Sequence, residues 1–229
     1  MITGRKPVSG SQIQGHRTTV PNTADAIWYP IYDSVTYAAA GQTNLTFFSL
    51  PIGQGTTTAP GATGAKTEAD TNLTNAGLFP KGNRFYMMGI EFKFVPGNTV
   101  GKRGDGAVAA TAPGRNWTDV NSVAQSGWVK VVIQNRTYVQ DGPLGVFPSQ
   151  DRLAGAAALA DTTTAAAAGL VQVDYASFAG APYQIVPAYI DSNQFFGVTV
   201  TWPAAVALPS GVAGRLWCRL LGQLVRDAQ

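Results

Sequence analysis

The sequence predicts an all-β protein, an antiparallel β-sandwich or jelly roll of about eight strands, and three observations predict it. Long runs alternate their side chains on a period of two, as at Arg84 to Val95 and Gly214 to Arg226. No strand–helix–strand rhythm appears, so a parallel sheet is not indicated. The connecting segments are long and rich in Gly, Ala, Thr and Pro, with room for one or two short helices at most.

The elements follow in order. Residues 1–26 are polar and basic, carry Gly4, Gly10, Gly15, Pro7 and Pro21, and show no periodicity, so they are expected to form an extended N-terminal arm. Residues 27–229 are expected to form one sandwich domain, since no linker or fixed-period repeat divides them. Patterned sequence begins at Ile27-Trp28-Tyr29-Pro30-Ile31-Tyr32. Ser34 to Ala38 and Asn44 to Leu50 flank Ala-Ala-Gly-Gln and resemble a hairpin. In Arg84 to Val95 one face is Tyr86, Met88, Ile90, Phe92 and Phe94; it is continuously apolar and is predicted to be the core face. Trp128 to Val139 repeats the pattern as one strand. Leu170 to Tyr175, Tyr183 to Ile190 and Gln194 to Trp202 are further β-rich runs, and Asp191-Ser192-Asn193 is a turn signal between the last two. Gly214 to Arg226 closes the chain, with Leu216, Cys218, Leu220, Gly222 and Leu224 on one face. Short helices are predicted at Lys66 to Ala76, capped by Thr67 or Asp70, and at Ser149 to Leu159, capped by Ser149. The segments 53–66, 96–117 and 154–169 are read as long loops.

Composition narrows the function. The chain has 229 residues, 45% hydrophobic and only 13% charged, against about 25% charged in an ordinary soluble domain. A surface short of charge suits a protein covered by copies of itself. One Cys and one His exclude a disulfide framework and a Cys/His zinc site. A net charge of +3 is too small for a dedicated nucleic-acid binder. The basic start has no apolar run behind it, so no signal peptide is expected, and no apolar run of ~18 residues predicts a transmembrane helix. The Asn-x-Ser/Thr sites at Asn44, Asn72, Asn116 and Asn135 carry no weight without a secretory signal.

The motifs that imitate chemistry each have a plainer reading. Gly61-Ala-Thr-Gly64-Ala-Lys66-Thr67 resembles a phosphate-binding loop, but Ala65 stands where glycine must precede the lysine, and a flexible surface loop is expected. Glu68 and Asp70 suggest a carboxylate pair; Asp70 is read as a helix cap and Glu68 as its first-turn dipole partner. Arg103-Gly104-Asp105 is a receptor-binding tripeptide in form and a turn in composition. Arg5, Lys6, His16 and Arg17 give the arm a weak attraction for nucleic acid or anionic lipid, or simply lie along a neighbouring subunit. Cys218 is predicted to be buried and inert, with Arg215 and Arg219 on the opposite face. Trp28, Trp117, Trp128, Trp202 and Trp217 are spread along the chain as core and interface anchors. No catalytic residue, metal ligand or cofactor is expected, and the chain is not predicted to be an enzyme.

The arm, the β-rich body, the Gly/Ala/Thr loops and the closing strand resemble jelly-roll capsid proteins of tailless icosahedral bacteriophages. Lys66-Thr67-Glu68-Ala69-Asp70-Thr71-Asn72-Leu73, then Ala76-Gly77-Leu78-Phe79-Pro80, then Phe85 to Phe94, look like a phage structural-protein pattern. The resemblance implies a single jelly roll and a capsid subunit that self-assembles into an icosahedral virion shell. It implies a place in the virion after assembly in the host cytoplasm, and as partners copies of itself and other virion proteins, with no small-molecule substrate. The rival readings are a compact double jelly-roll capsid protein and a lectin-like or receptor-binding sandwich using Trp117 or Trp128. An enzyme built on scattered Asp residues comes third.

Overall fold

A computed structural model of the chain describes residues 25–59, 62–96, 114–147, 151–154, 176–179, 182–209 and 211–226. The molecule is an all-β sandwich of antiparallel sheets, with strand far outweighing helix. Among the described residues the strands are β1 (Asp25–Trp28), β2 (Ile31–Tyr37), β3 (Asn44–Phe47), β4 (Asn83–Val95), β5 (Trp128–Ile133), β6 (Arg136–Asp141), β7 (Asp151–Ala154), β8 (Ala176–Ala179), β9 (Tyr183–Ile190), β10 (Phe196–Thr201) and β11 (Gly214–Arg226). Among the same residues, one helix, α1 (Gly114–Ser126), and a 3-10 turn at Leu144–Val146 complete the elements.

The first sheet is built on β11. Its early residues pair with β2, its last four with β1, and its whole length with β4 on the other side; β9 then forms the far edge. The second sheet runs β3-β10-β5-β6, and β7 pairs with β8 alone. Aromatic rings join the sheets across the core. Phe47 of β3 meets Phe92 of β4 edge-on, and Tyr37 of β2 meets Trp202 just beyond β10. Phe79, which follows the loop before β4, stacks on both Phe85 and Phe196. Edge-to-face and offset packing of this kind adds to the area each ring removes from water.

Several expectations are corrected. The segments 34–38 and 44–50 are not a hairpin: β2 pairs with β11 in the first sheet and β3 with β10 in the second. A turn at Ala39-Ala40, closed by the Gly41 N–H on the Ala38 carbonyl at 2.9 Å, and Gly41 itself, whose φ is +86°, carry the chain from one layer to the other. Gly41 has no room for a side chain, since a Cβ would meet the Val206 backbone at 2.6 Å. Trp128 to Val139 is two strands, not one, because Gln134 takes a left-handed φ of +53° and reverses the chain. No helix forms over 66–76, where the chain makes turns and Thr71 bridges to Asp33 on the edge of β2. The expected helix at 149–159 meets strand β7 at 151–154; its other residues lie outside the described ones. The loop expected through Trp117 gives way to α1 at Gly114. The run 170–175 and the loop 155–169 lie outside the described residues.

The core face of β4 is half as predicted. Ile90 and Phe92 are buried, but so are Phe85, Met87 and Glu91, while Tyr86 and Met88 are half-buried. A β-bulge explains the change of face. Leu221 lies opposite Gly89 and Gly222 opposite Met87, which leaves Met88 as the extra residue. One extra residue flips every side chain beyond it. Gly222 allows the close approach, since a Cβ there would sit 2.0 Å from the Tyr86 carbonyl oxygen. The turn at Asp191-Ser192-Asn193 is present as expected, with the Gln194 N–H donating to the Asp191 carbonyl at 3.0 Å.

Candidate functional site

The most densely bonded polar region lies where the loop after β3 wraps the edge of β2. Residues 53 and 66 lie side by side in this loop, with the Gly53 N–H on the Lys66 carbonyl at 2.8 Å and the Lys66 N–H on the Gln54 carbonyl at 3.1 Å. The loop then runs along β2. The Ser34 N–H donates to the Asp70 carbonyl at 2.8 Å, and the Asn72 side chain satisfies both the Tyr32 N–H and the Pro30 carbonyl. An exposed row of β-strand donors and acceptors is thereby occupied. This ordered strap replaces the flexible loop expected from composition.

Asp70 organises the strap. Oδ2 accepts from the Thr57 hydroxyl at 2.7 Å and the Thr67 N–H at 3.0 Å; Oδ1 accepts from the Thr58 N–H at 2.7 Å and its hydroxyl at 2.8 Å. Burial by itself raises the Asp70 pKa, but these donors outweigh it and hold the carboxyl well below the usual carboxylate range. Asp70 is therefore a buried turn anchor rather than a helix cap. It does not form an acid–base pair with Glu68, which is exposed.

Asp33 and Lys66 form the second half of the region. Pairing places Asp33, Cys218 and Phe92 in one row across β2, β11 and β4, and paired residues share a face. Asp33 thus projects into the sandwich core. Lys66 Nζ lies 2.5 Å from Asp33 Oδ1, with side-chain exposures of 4% and 0%. The Ser34 N–H also reaches Oδ1, at 3.0 Å, and the Phe48 N–H reaches Oδ2 at 2.6 Å. Burial pushes the Asp33 carboxyl up, offset in part by Lys66 and these two amides. A lysine sunk in the core on a carboxylate cannot serve as a phosphate ligand, which closes the nucleotide-loop reading. The sequence carries a faint signal of the pair: Lys66 is the sole charged residue between Asp33 and Glu68.

Cys218 is fully buried as predicted, and burial, with Asp33 and Glu91 nearby, raises its thiol pKa. Arg215, Trp217 and Arg219 occupy the opposite face of β11. Arg215 lies over the Trp217 ring, 5.1 Å from its centroid, and Trp217 also meets Tyr32. Arg219 binds Glu91, its register partner, at 2.6 Å. Glu91 is buried by this pairing although it lies off the core face.

The surface exposes large apolar side chains that the core does not use. Trp28 is 58% exposed, Trp128 48%, Phe195 50% and Val186 89%. Trp128 starts β5 opposite Thr201, on the outer face of the second sheet. Val186 and Pro187 sit on edge strand β9, between the Gln184 and Ala188 positions that pair with β4. Trp202, in contrast, is a core residue whose indole N–H donates to the Val123 carbonyl at 3.1 Å. Trp117 lies on α1. Arg5, Lys6, His16, Arg17 and the Arg103-Gly104-Asp105 tripeptide lie outside the described residues.

Among the described residues, no three His, Cys, Asp or Glu side chains gather as metal ligands would, and no helix is long and apolar enough to cross a membrane. Comparison with protein-family models, with curated proteins and with solved structures returned no match.

Proposed function

We propose that the chain is a capsid subunit: a single jelly roll that assembles with copies of itself into the icosahedral shell of a bacteriophage virion. The observation that carries the reading is the pairing order. Successive strands alternate between layers. β2 enters the first sheet, β3 the second, β4 the first, β5 and β6 the second, β9 the first, β10 the second and β11 the first. Two four-stranded sheets ordered β2-β11-β4-β9 and β3-β10-β5-β6 are what two interlocked Greek keys give. Here β1 extends the β2 edge and the β7–β8 pair is an insertion between β6 and β9. The step from fold to shell is an analogy, because jelly rolls also serve lectins and enzymes. Two further features favour the shell: the low charge of the whole chain, and Trp28, Trp128, Phe195 and Val186 exposed on the sandwich. Such residues are the anchors of protein interfaces, and many modest contacts repeated by symmetry hold a closed shell.

Trp128 on a threonine-bearing sheet face supports a second reading, a lectin-like or receptor-binding module, since an exposed indole is a platform for a sugar ring. Size-exclusion chromatography with negative-stain microscopy separates the two. Closed particles or symmetric rings are expected for the shell subunit. A monomer at all concentrations that binds glycans on an array overturns it in favour of the second reading.

A further inference from the structure

The Asp33–Lys66 pair has the geometry of a reaction as well as of an ion pair. We propose that Lys66 Nζ and Asp33 Cγ condense to an amide, an intramolecular isopeptide bond that fastens the strap to β2. The inference is independent of the shell assignment.

Four observations support it. The amine already touches the carboxyl group, 2.5 Å from Oδ1, so the two reactants are held together and need not diffuse to meet. Both side chains are buried, at 4% and 0% exposure, and in a dry site a neutral amine beside a neutral acid competes with the ion pair. Burial moves Asp33 in that direction. The two oxygens are also held differently. Oδ1 takes the lysine and the Ser34 N–H at 3.0 Å, while Oδ2 receives only the Phe48 N–H among the described donors, at 2.6 Å, a donor placed for charge that develops on that atom. The row partners Cys218 and Phe92 and the neighbouring Phe48 surround the pair with groups that exclude water.

The step balances without a co-reactant. The ammonium passes one proton to Oδ1, leaving a neutral amine and a carboxylic acid. The Nζ lone pair then forms a bond to Cγ, and negative charge develops on Oδ2 against the Phe48 N–H. A second proton moves from Nζ to Oδ1, the Cγ–Oδ1 bond breaks, and Oδ1 leaves as water. Nζ keeps one proton, Oδ2 becomes the amide oxygen, and nothing is oxidised or reduced. The product closes the chain between residues 33 and 66 covalently, through a bond that denaturant does not break.

The test is mass spectrometry of the full chain under denaturing conditions, beside the Lys66→Arg variant, which keeps the charge but lacks the amine. The wild type is expected to weigh one water less than its sequence, allowing for removal of Met1, and the variant to show its full sequence mass. Trypsin adds the location. Arg17, Lys66 and Lys81 are successive cleavage sites, so the free chain gives fragments 18–66 and 67–81. The amide blocks cleavage at Lys66 and yields one fragment, 18–81, lighter by one water. A wild type at its full sequence mass overturns the proposal. So does a water loss that persists in the Lys66→Arg variant or leaves cleavage at Lys66 intact, because a succinimide at Asp105-Gly106 or Asp141-Gly142 has that signature.

Discussion

Replacing Asp70 by Asn removes a charge with almost no change of shape, and the structure sets what that costs. Each carboxylate oxygen accepts one backbone N–H and two hydroxyls: the Thr58 N–H with the Thr58 and Ser34 hydroxyls on Oδ1, and the Thr67 N–H with the Thr57 and Thr67 hydroxyls on Oδ2. The hydroxyls can turn round and accept from the new amide nitrogen. The backbone N–H groups cannot. Whichever way the amide is turned, it points a donor at the N–H of Thr58 or Thr67 and strands it. A buried donor left unsatisfied costs about 1–3 kcal/mol, and the remaining bonds lose their charge assistance, so about 2–4 kcal/mol is expected in all. Urea denaturation of both proteins at neutral pH measures the difference. The pH dependence checks the cause. Asp70 titrates below its ordinary value when folded, so its contribution is complete above the unfolded pKa of 3.8 and is lost as pH falls through the folded pKa. The gap between wild type and Asp70→Asn should therefore be constant from neutral pH down to about pH 5 and narrow below about pH 4. Equal stability at neutral pH, or a gap that stays constant through pH 3, would refute the assignment of Asp70 as the ionised anchor of the strap.

Three further outcomes are expected. Phe92→Ala deletes a ring packed between Phe47 and Phe147 and should cost about 3–5 kcal/mol in chemical denaturation. Gly222→Ala drives a Cβ into the Tyr86 carbonyl at the bulge, so thermal melting should fall sharply, whereas Gly53→Ala, with open space around it, should suffer only its left-handed backbone strain. Trp128→Glu places a charge on an exposed position, so the subunit should melt within about 0.5 kcal/mol of wild type while particle yield drops; unchanged yield would remove this face from the shell contacts.

The features legible in the chain alone are local. Alternation on a period of two marked β4, β9, β10 and β11 as strands, and the parity of β11 placed Leu216, Cys218 and Leu220 in the core with Arg215 and Arg219 on the other side. These follow from backbone pleating alone, which is a property of neighbouring residues. Tertiary structure decided the rest. The same parity rule failed on β4 before Met88, where Phe85 and Met87 take the core face, because the bulge exists only where Gly222 of a strand far along the chain lets the two backbones close up. The apparent hairpin, read from two strand runs flanking Ala-Ala-Gly-Gln, fails for the same reason, a distant partner: β2 pairs with β11 and β3 with β10, in different sheets. Lys66 and Asp70 stand in a Gly/Thr-rich segment whose composition points to a flexible loop and a helix cap. Their partners, Asp33 and Ser34, lie on β2, and only folding brings them within a hydrogen bond.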